Sequence, residues 1–590
     1  MNKLQTLIAI LSFLLISCGG GSSSGVGGVT LKGIAATGAP MAQSDVTVLD
    51  INGRTLTTST DGTGGYSLDV STLTPPLLVK LEGQNADGSP LVMYSAVDAI
   101  AGNSATANVT PLTNATVVLA TGQNATEFYN APSAEKLSAT TLNAANDSLS
   151  QQLTPILQST GTPSGLNFIK TDFSANKKGL DLVMESLNIT TNPPKKANGA
   201  SSVALIGRLS TGGKILTPPV GGIGNGNLSV VGSLAIPAGF TEINFSAIDT
   251  LISSVNQILL SNNELDSKVS QLIGLSDSAY LNQGKNSADD WRSRATGSGT
   301  LVGIGIQGCN FSAPLICAIA GAKLSGSKRT PFQNAVVYDG QNWKFYGNQR
   351  ITNINVTTTL FRETYFTDSS ISRNAYSGYE VVINTEGGGS SIKTAKFYVY
   401  LNNTWELLKT LTTPENAFGE PGSSFLYEEV KLGDDRIRDL TSQALNSGVS
   451  LKLELFDGNN TLLGSNYLYG LNLPLLSTDV ANFKFPEITD EGIQQFRQYD
   501  GSTSLRLSLS PGNAFFSPNE FYWNQFAAPG QKILSSDIAK RSTSVNLQLA
   551  NSVTMNAMSN RGIDFYAFTA EGMKIHTRNV GCNAAGCGNP

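Results

Sequence analysis

Two runs of strict alternation constrain this chain more than any other feature. Phe397, Val399 and Leu401 alternate with Tyr398 and Tyr400, and Leu451, Leu453 and Leu455 alternate with Lys452 and Glu454. Successive side chains of a strand point to opposite faces, so each run has one apolar and one solvated face. A helix needs apolar residues three and four apart and cannot use this pattern. Such strands form antiparallel sheets that bury one face, often against a second sheet. Further strand-like runs lie at 379–383, 505–509, 545–549 and 564–568, with an Asp457-Gly458 turn. These runs predict two C-terminal sandwiches, 356–475 and 476–590, with short helices at 434–445 and 491–499.

Composition narrows the chemistry. The chain has 590 residues, enough for several cores, and only 14% are charged, against about 25% in ordinary soluble proteins. Lys and Arg number 39 against 44 Asp and Glu, so the basic excess of a nucleic-acid binder is missing. There is one His, His576. A His-rich zinc site cannot be built, and most His-based acid–base schemes would have to run through that residue. Its setting, Met573-Lys574-Ile575-His576-Thr577, reads as a last strand, with His576 at the surface or hydrogen-bonded. Gly21-Ser22-Ser23-Ser24-Gly25 fits the G-x-S-x-G pattern but lacks the strand before and helix after that a nucleophile elbow needs. Asp50-Ile51-Asn52-Gly53 begins like a calcium loop and then fails. No catalytic residue, metal ligand or cofactor follows from these patterns.

The first residues set the compartment. Lys3 precedes an apolar run at 7–16 that is too short for the ~30 Å hydrocarbon core of a bilayer, and reads as a secretory signal. It ends Leu15-Ile16-Ser17-Cys18, which resembles the bacterial lipoprotein box. That resemblance implies cleavage after residue 17, with a diacylglycerol and an N-acyl lipid on Cys18. Two or more acyl chains would hold the protein stably on a membrane. Gly19 in place of Asp implies the outer membrane, periplasmic or surface-exposed. Residues 18–28 continue as a Gly/Ser tether. Beyond Cys18 four cysteines remain, in two close pairs. In an exported chain this suggests the disulfides Cys309–Cys317 and Cys582–Cys587.

Residues 29–110 carry Val46-Thr47-Val48, the hairpin signal Asn52-Gly53, and Asp61 to Leu68 with Gly64, Gly65 and Tyr66. This order resembles the carboxypeptidase-regulatory-like, transthyretin-like β-sandwich. The resemblance implies a structural or adhesive module, with Tyr66 in its core. Residues 111–192 switch to helical spacing through Leu137, Leu142, Leu149, Leu153 and Ile156, with Ser133 as a candidate N-cap, and again over 179–187. These stripes should bury against each other or the sandwich. Residues 193–244 read as a Pro/Gly/Asn-rich connector whose strand-like runs, 203–209 and 228–236, could form a hairpin.

At 245–355 a helix with Ser246 as candidate N-cap precedes Tyr280-Leu281-Asn282-Gln283-Gly284, then strands and a turn at Asp339-Gly340. This succession resembles the nuclear-transport-factor-like α+β cone. The resemblance implies a pocket between helices and sheet, with Asp249, Tyr280, Asp289 and Trp291 as its candidate residues. Asp289 and Asp290 are adjacent, so on a helix they diverge by about 100° and cannot face each other as a dyad. Trp405 and Trp523 could stack on sugar rings or pack in cores. The fold expected is multidomain and mainly β: an N-terminal sandwich, a helical segment, an α+β cone and a C-terminal sandwich region. The function expected is a non-catalytic structural or adhesion-type module, held to the membrane by its lipid and meeting an envelope protein or glycan. The alternatives are a ligand site or enzyme at 245–355 and polysaccharide binding by the C-terminal β region.

Overall fold

The computed structural model describes residues 28–84, 90–191, 203–210, 228–231, 234, 236–297, 299–326, 328–367, 370–385, 391–402, 404–412, 425–447, 450–469, 473–499, 502, 504–512, 515–525, 528–533, 543–548, 562–569 and 573–581. Residues 1–17, expected to be a signal, and Cys18, Cys582 and Cys587 lie outside them. The chain is mainly β and multidomain. No helix among the described residues is long and apolar enough to cross a membrane.

The N-terminal unit is a sandwich of a three-stranded and a four-stranded sheet. Thr30–Ile34 pairs antiparallel with Gly65–Asp69 and parallel with Ser104–Thr106. The other sheet runs Thr55–Ser59, Asp45–Asp50, Leu77–Gln84, Pro90–Val97, antiparallel throughout. Leu31, Val46, Val48, Val79 and Leu81 are fully buried between them. At the expected turn Gly53 takes φ 83°, and the Asp50 carboxylate accepts from the amides of Asn52, Arg54 and Thr74 at 2.9, 2.8 and 3.1 Å. Tyr66 is a core residue, as its position implied, and donates its hydroxyl to the Ala107 carbonyl.

The helical segment joins this core. Pro111–Thr121 starts on a Thr110–Thr113 capping box with Pro in its first turn and ends on Gly122 at φ 67°. Leu112, Val117, Leu149, Leu153 and Ile156 pack in one cluster with the sandwich residues. Ser133 is not the cap of the long helix. That helix is Ala139–Ser159, and Ser138 accepts from the Thr141 amide at 3.3 Å. Glu135–Leu137 forms a separate 3₁₀ turn. The second expected helix stops at Glu185, and Leu187–Thr190 is a strand. In the connector, Val203–Gly207 pairs antiparallel with Leu187–Thr190 and parallel with Leu228–Val231. The two expected strands are therefore parallel neighbours rather than a hairpin, which requires antiparallel arms.

The middle unit packs the helices Ala247–Leu260, Leu265–Gly274 and Ser287–Ala295 on a five-stranded sheet. The sheet runs Leu209–Ser210, Thr300–Asn310, Leu315–Ser325, Lys328–Tyr338, Trp343–Phe345. Cys309 and Cys317 are directly opposed on adjacent strands and form a disulfide. Ser246 makes no capping bond; it donates to the Asn244 side chain at 2.7 Å instead.

The C-terminal region centres on a seven-stranded sheet. Its order is Phe425–Lys431, Ile371–Asn384, Ile354–Phe366, Lys574–Gly581, Gly562–Phe568, Phe515–Gln525, Ala528–Ile533. Lys574–Gly581 lies parallel to Ile354–Phe366; the remaining pairs are antiparallel. Both stretches, 356–475 and 476–590, thus contribute strands to one sheet. One end of its apolar face, with Val356, Tyr379 and Val381, packs on the four-stranded sheet carrying Phe397, Val399, Leu451 and Leu453. The other end, with Leu360, Phe366, Ile563 and Ile575, packs on Ile493, Phe496, Leu505 and Leu507. The expected helices are present as Asp434–Ser447 and Asp490–Gln498.

Candidate functional site

The four candidates in the middle unit each have their own partners. Trp291 is fully buried, edge-on to Phe345 at 5.0 Å, and its indole N–H donates to Ser276 at 2.9 Å. The space between helices and sheet is filled by Phe245, Trp291, Phe332 and Phe345. Tyr280 donates to Asp290 at 2.5 Å and accepts from Asn334 at 2.9 Å. Burial first, then the charge of Asp290, pushes its hydroxyl above the ordinary range. Asp290 also accepts from Asn282 at 3.1 Å and Arg294 at 2.9 Å. Its neighbour Asp289 points elsewhere, exposed in the first turn of its helix, with its amide capped by Asn286 at 2.9 Å. The divergence expected for adjacent residues is realised, and Asp290 is the carboxylate that meets Tyr280.

Asp249 faces the N-terminal unit. It accepts from the Lys177 ammonium at 2.7 Å, and Lys177 also donates to the Ile304 carbonyl at 2.8 Å. Glu185 lies 3.6 Å from the same ammonium and accepts from the Ile306 amide at 3.0 Å. Asp181 accepts from the Lys177 amide at 2.7 Å. Burial pushes Asp181 up to about 7 and Glu185 well above the carboxylate range, against the pull of Lys177. One oxygen of each carboxyl is buried without a hydrogen-bond partner.

Among the described residues the densest assembly of titratable groups lies elsewhere, on residues whose clustering the sequence pattern does not reveal. It covers the polar face of the seven-stranded sheet, and the lone histidine sits at its centre. His576 is 3% exposed. Lys574, His576 and Arg578 lie at i, i+2 and i+4 of one strand, so all three point to the same side. Register brings Phe361 and Tyr566 opposite His576, Asp564 opposite Arg578, and Glu380 opposite Glu429. The His576 Nδ1 is 3.6 Å from both Glu380 and Glu429, and Nε2 is 3.4 Å from Asp564. Lys574 donates to Glu380 at 2.6 Å and Arg578 to Glu429 at 2.9 Å. Tyr376 and Tyr427 each donate to Glu429 at 2.8 Å.

Here pairing outweighs burial. Burial opposes ionisation of Glu380, yet Lys574 and His576 pull it down to about 2. Glu429 is lowered in the same way by Arg578 and His576. Burial opposes charging of His576, but the facing Asp564 and Glu380 carboxylates raise it above its ordinary value. General acid catalysis needs a carboxyl held protonated near neutrality. Glu380 and Glu429 are driven the other way and do not meet that requirement. The available signal was the period-two Lys574-x-His576-x-Arg578; its acidic partners come from three other strands and are invisible without register.

Trp405 is half-buried on the outward face of the four-stranded sheet, 5.1 Å from the Tyr400 ring, with the Lys452 ammonium 5.1 Å away over its own ring. Trp523 lies on the Phe515–Gln525 strand. Among the described residues no group of three His, Cys, Asp or Glu is placed to hold a metal ion. Compared with known proteins, the chain is matched by no family model and by no curated protein.

Proposed function

We propose that this chain is a lipid-anchored envelope protein that acts as a non-catalytic, multidomain structural and binding module. The observation that carries the reading is Leu15-Ile16-Ser17-Cys18, followed by a Gly/Ser tether that ends where the first strand, Thr30–Ile34, begins. Cys18 would carry the lipid, and the tether would hold the first sandwich off the bilayer surface. The cross-strand disulfide Cys309–Cys317 suits an oxidising compartment. The charged layer supports a structural role, since Glu380 and Glu429 are engaged by the sheet's own cations. Replacing Cys18→Ala and fractionating cells tests the anchor. The protein should leave the membrane fraction; retention there would refute lipidation. Capture of cell-surface partners by the soluble chain from residue 29 would identify what it binds.

One observation favours a glycan as that partner. Trp405, Tyr400 and the 49% exposed Leu407 share the outward face of the four-stranded sheet. Aromatic side chains there can stack on sugar rings. Glycan arrays with wild-type protein and Trp405→Ala test this; silence with the wild type removes the glycan reading and leaves the anchor untouched.

A further inference from the structure

The seam between the N-terminal and middle units buries more acid than it can neutralise. Two completely buried carboxyls, Asp181 and Glu185, share one 3% exposed ammonium, Lys177. Three elements meet there. The helix Gly179–Glu185 supplies both carboxyls, and they lie four residues apart, on one helical face. The helix Ala247–Leu260 supplies Asp249, which is 43% exposed and takes the shortest bond from Lys177. The strand Thr300–Asn310 supplies backbone only: the Ile304 carbonyl to Lys177 and the Ile306 amide to Glu185. Arg208, next to that strand, is the remaining cation and reaches the Ile306 carbonyl at 3.5 Å.

Glu185 is wedged where the units touch. A Cβ on Gly38, which has φ +93°, would come within 2.4 Å of its side chain, and one on Gly305 within 3.4 Å of its Oε1. Beside it lies a small cleft of about 20 Å³, room for about one water. Thr37, Ala39 and Gln84 line one wall, Gly303 and Gln307 the other. Glu185 itself is buried, and its second oxygen has no hydrogen-bond partner.

We propose that this seam is a proton-operated clasp: one proton resting on the Asp181–Glu185 pair locks the two units together, and its loss loosens them. With both carboxyls ionised, they and Asp249 set three negative charges against two cations, Lys177 and Arg208, and Lys177 is already committed to Asp249. With one proton bound, that repulsion goes, and the two remaining carboxylates balance Lys177 and Arg208. Both carboxyls are raised in the folded state, so the stability they contribute is complete below the ordinary carboxylate range. It is lost as pH rises through the folded values, near 7 for Asp181.

Spin labels at two exposed positions, Thr57→Cys on the sandwich and Ser270→Cys on the middle unit, would report the seam in the full-length chain. The distance distribution between them is measured at pH 5.5 and pH 8.5. The wild-type background should give a narrow distribution at the lower pH and a broader one at the higher. Glu185→Gln, which mimics the protonated form, should stay narrow at both, and Asp181→Asn should remove at least part of the response. Near-UV circular dichroism selects the variants that retain native packing. A distribution that does not change with pH in the wild-type background overturns the clasp. So does a full wild-type response in both variants.

Discussion

The Lys177 seam and the His576 layer are both buried clusters of acids and bases, and they resolve the same conflict in opposite ways. In the seam burial wins, and Asp181 and Glu185 are pushed up. On the sheet pairing wins, and Glu380 and Glu429 are pulled down. The difference is the supply of cations. Glu380, Glu429 and Asp564 meet Lys574, His576 and Arg578, one for one. Asp181, Glu185 and Asp249 meet two, Lys177 and, near Glu185, Arg208. Desolvation costs each ion several kcal/mol, and a carboxylate stays charged only where a close partner offsets that cost. The two regions should therefore answer acid in opposite senses.

The hardest blow to this contrast is Lys177→Met. It takes the ammonium from the seam and leaves its carboxyls buried, and should cost about 3–5 kcal/mol of stability, read as a lowered urea midpoint. A loss under about 1 kcal/mol would mean that protonation already makes the lysine dispensable.

Glu380→Gln attacks the sheet. It strands Lys574 and should cost about 2–4 kcal/mol near neutral pH. Glu380 is lowered from 4.5 to about 2, so its contribution is present above the ordinary value and is lost as pH falls toward 2. The variant should lose stability less steeply than wild type across that window. Acid titrations that run parallel would show that Glu380 is not held by Lys574 and His576.

His576→Gln is a gentler test of the same layer, at about 1–2 kcal/mol. The histidine is raised, so its stabilisation is complete below its ordinary value and disappears as pH climbs above it. Wild type should weaken on the alkaline side of about 6.5, and the variant should be flatter there. Identical alkaline profiles would contradict a charged His576. The smallest change, Tyr427→Phe, removes one hydroxyl from Glu429 while Tyr376 and Arg578 remain. It should cost about 0.5–1.5 kcal/mol, and a larger loss would place the tyrosine, rather than Arg578, as the main support of Glu429.

Much of the fold was readable before any coordinates. Period-two runs marked the strands around Phe397 and Leu453, the Asn52–Gly53 and Asp339–Gly340 turns fell where expected, and Cys309 was paired correctly with Cys317. Those features depend on neighbours in the chain. The caps were less legible: Ser133, Ser138 and Ser246 have equal intrinsic claims, and only the local backbone path let Ser138 reach an amide. The site was least legible. His576 read as a surface or hydrogen-bonded residue and is buried, because its partners Glu380, Glu429 and Asp564 lie far off in sequence, and Asp249 looked like a pocket residue because Lys177 belongs to another unit.

What was already present in the linear order of residues was a β-rich chain that opens on the lipobox-like Leu15-Ile16-Ser17-Cys18 and a Gly/Ser run, and that carries one histidine. Periodicity, turn chemistry and composition act over a few residues and need no knowledge of the whole. What waited on the folded molecule was the placement of its charges. A parallel pairing put the Lys574–Gly581 strand between Ile354–Phe366 and Gly562–Phe568, and the packing of the helix Gly179–Glu185 at the seam left two acids with one lysine. Coulomb interactions and desolvation depend on distance and burial, and those are set by strand register and by how the units pack.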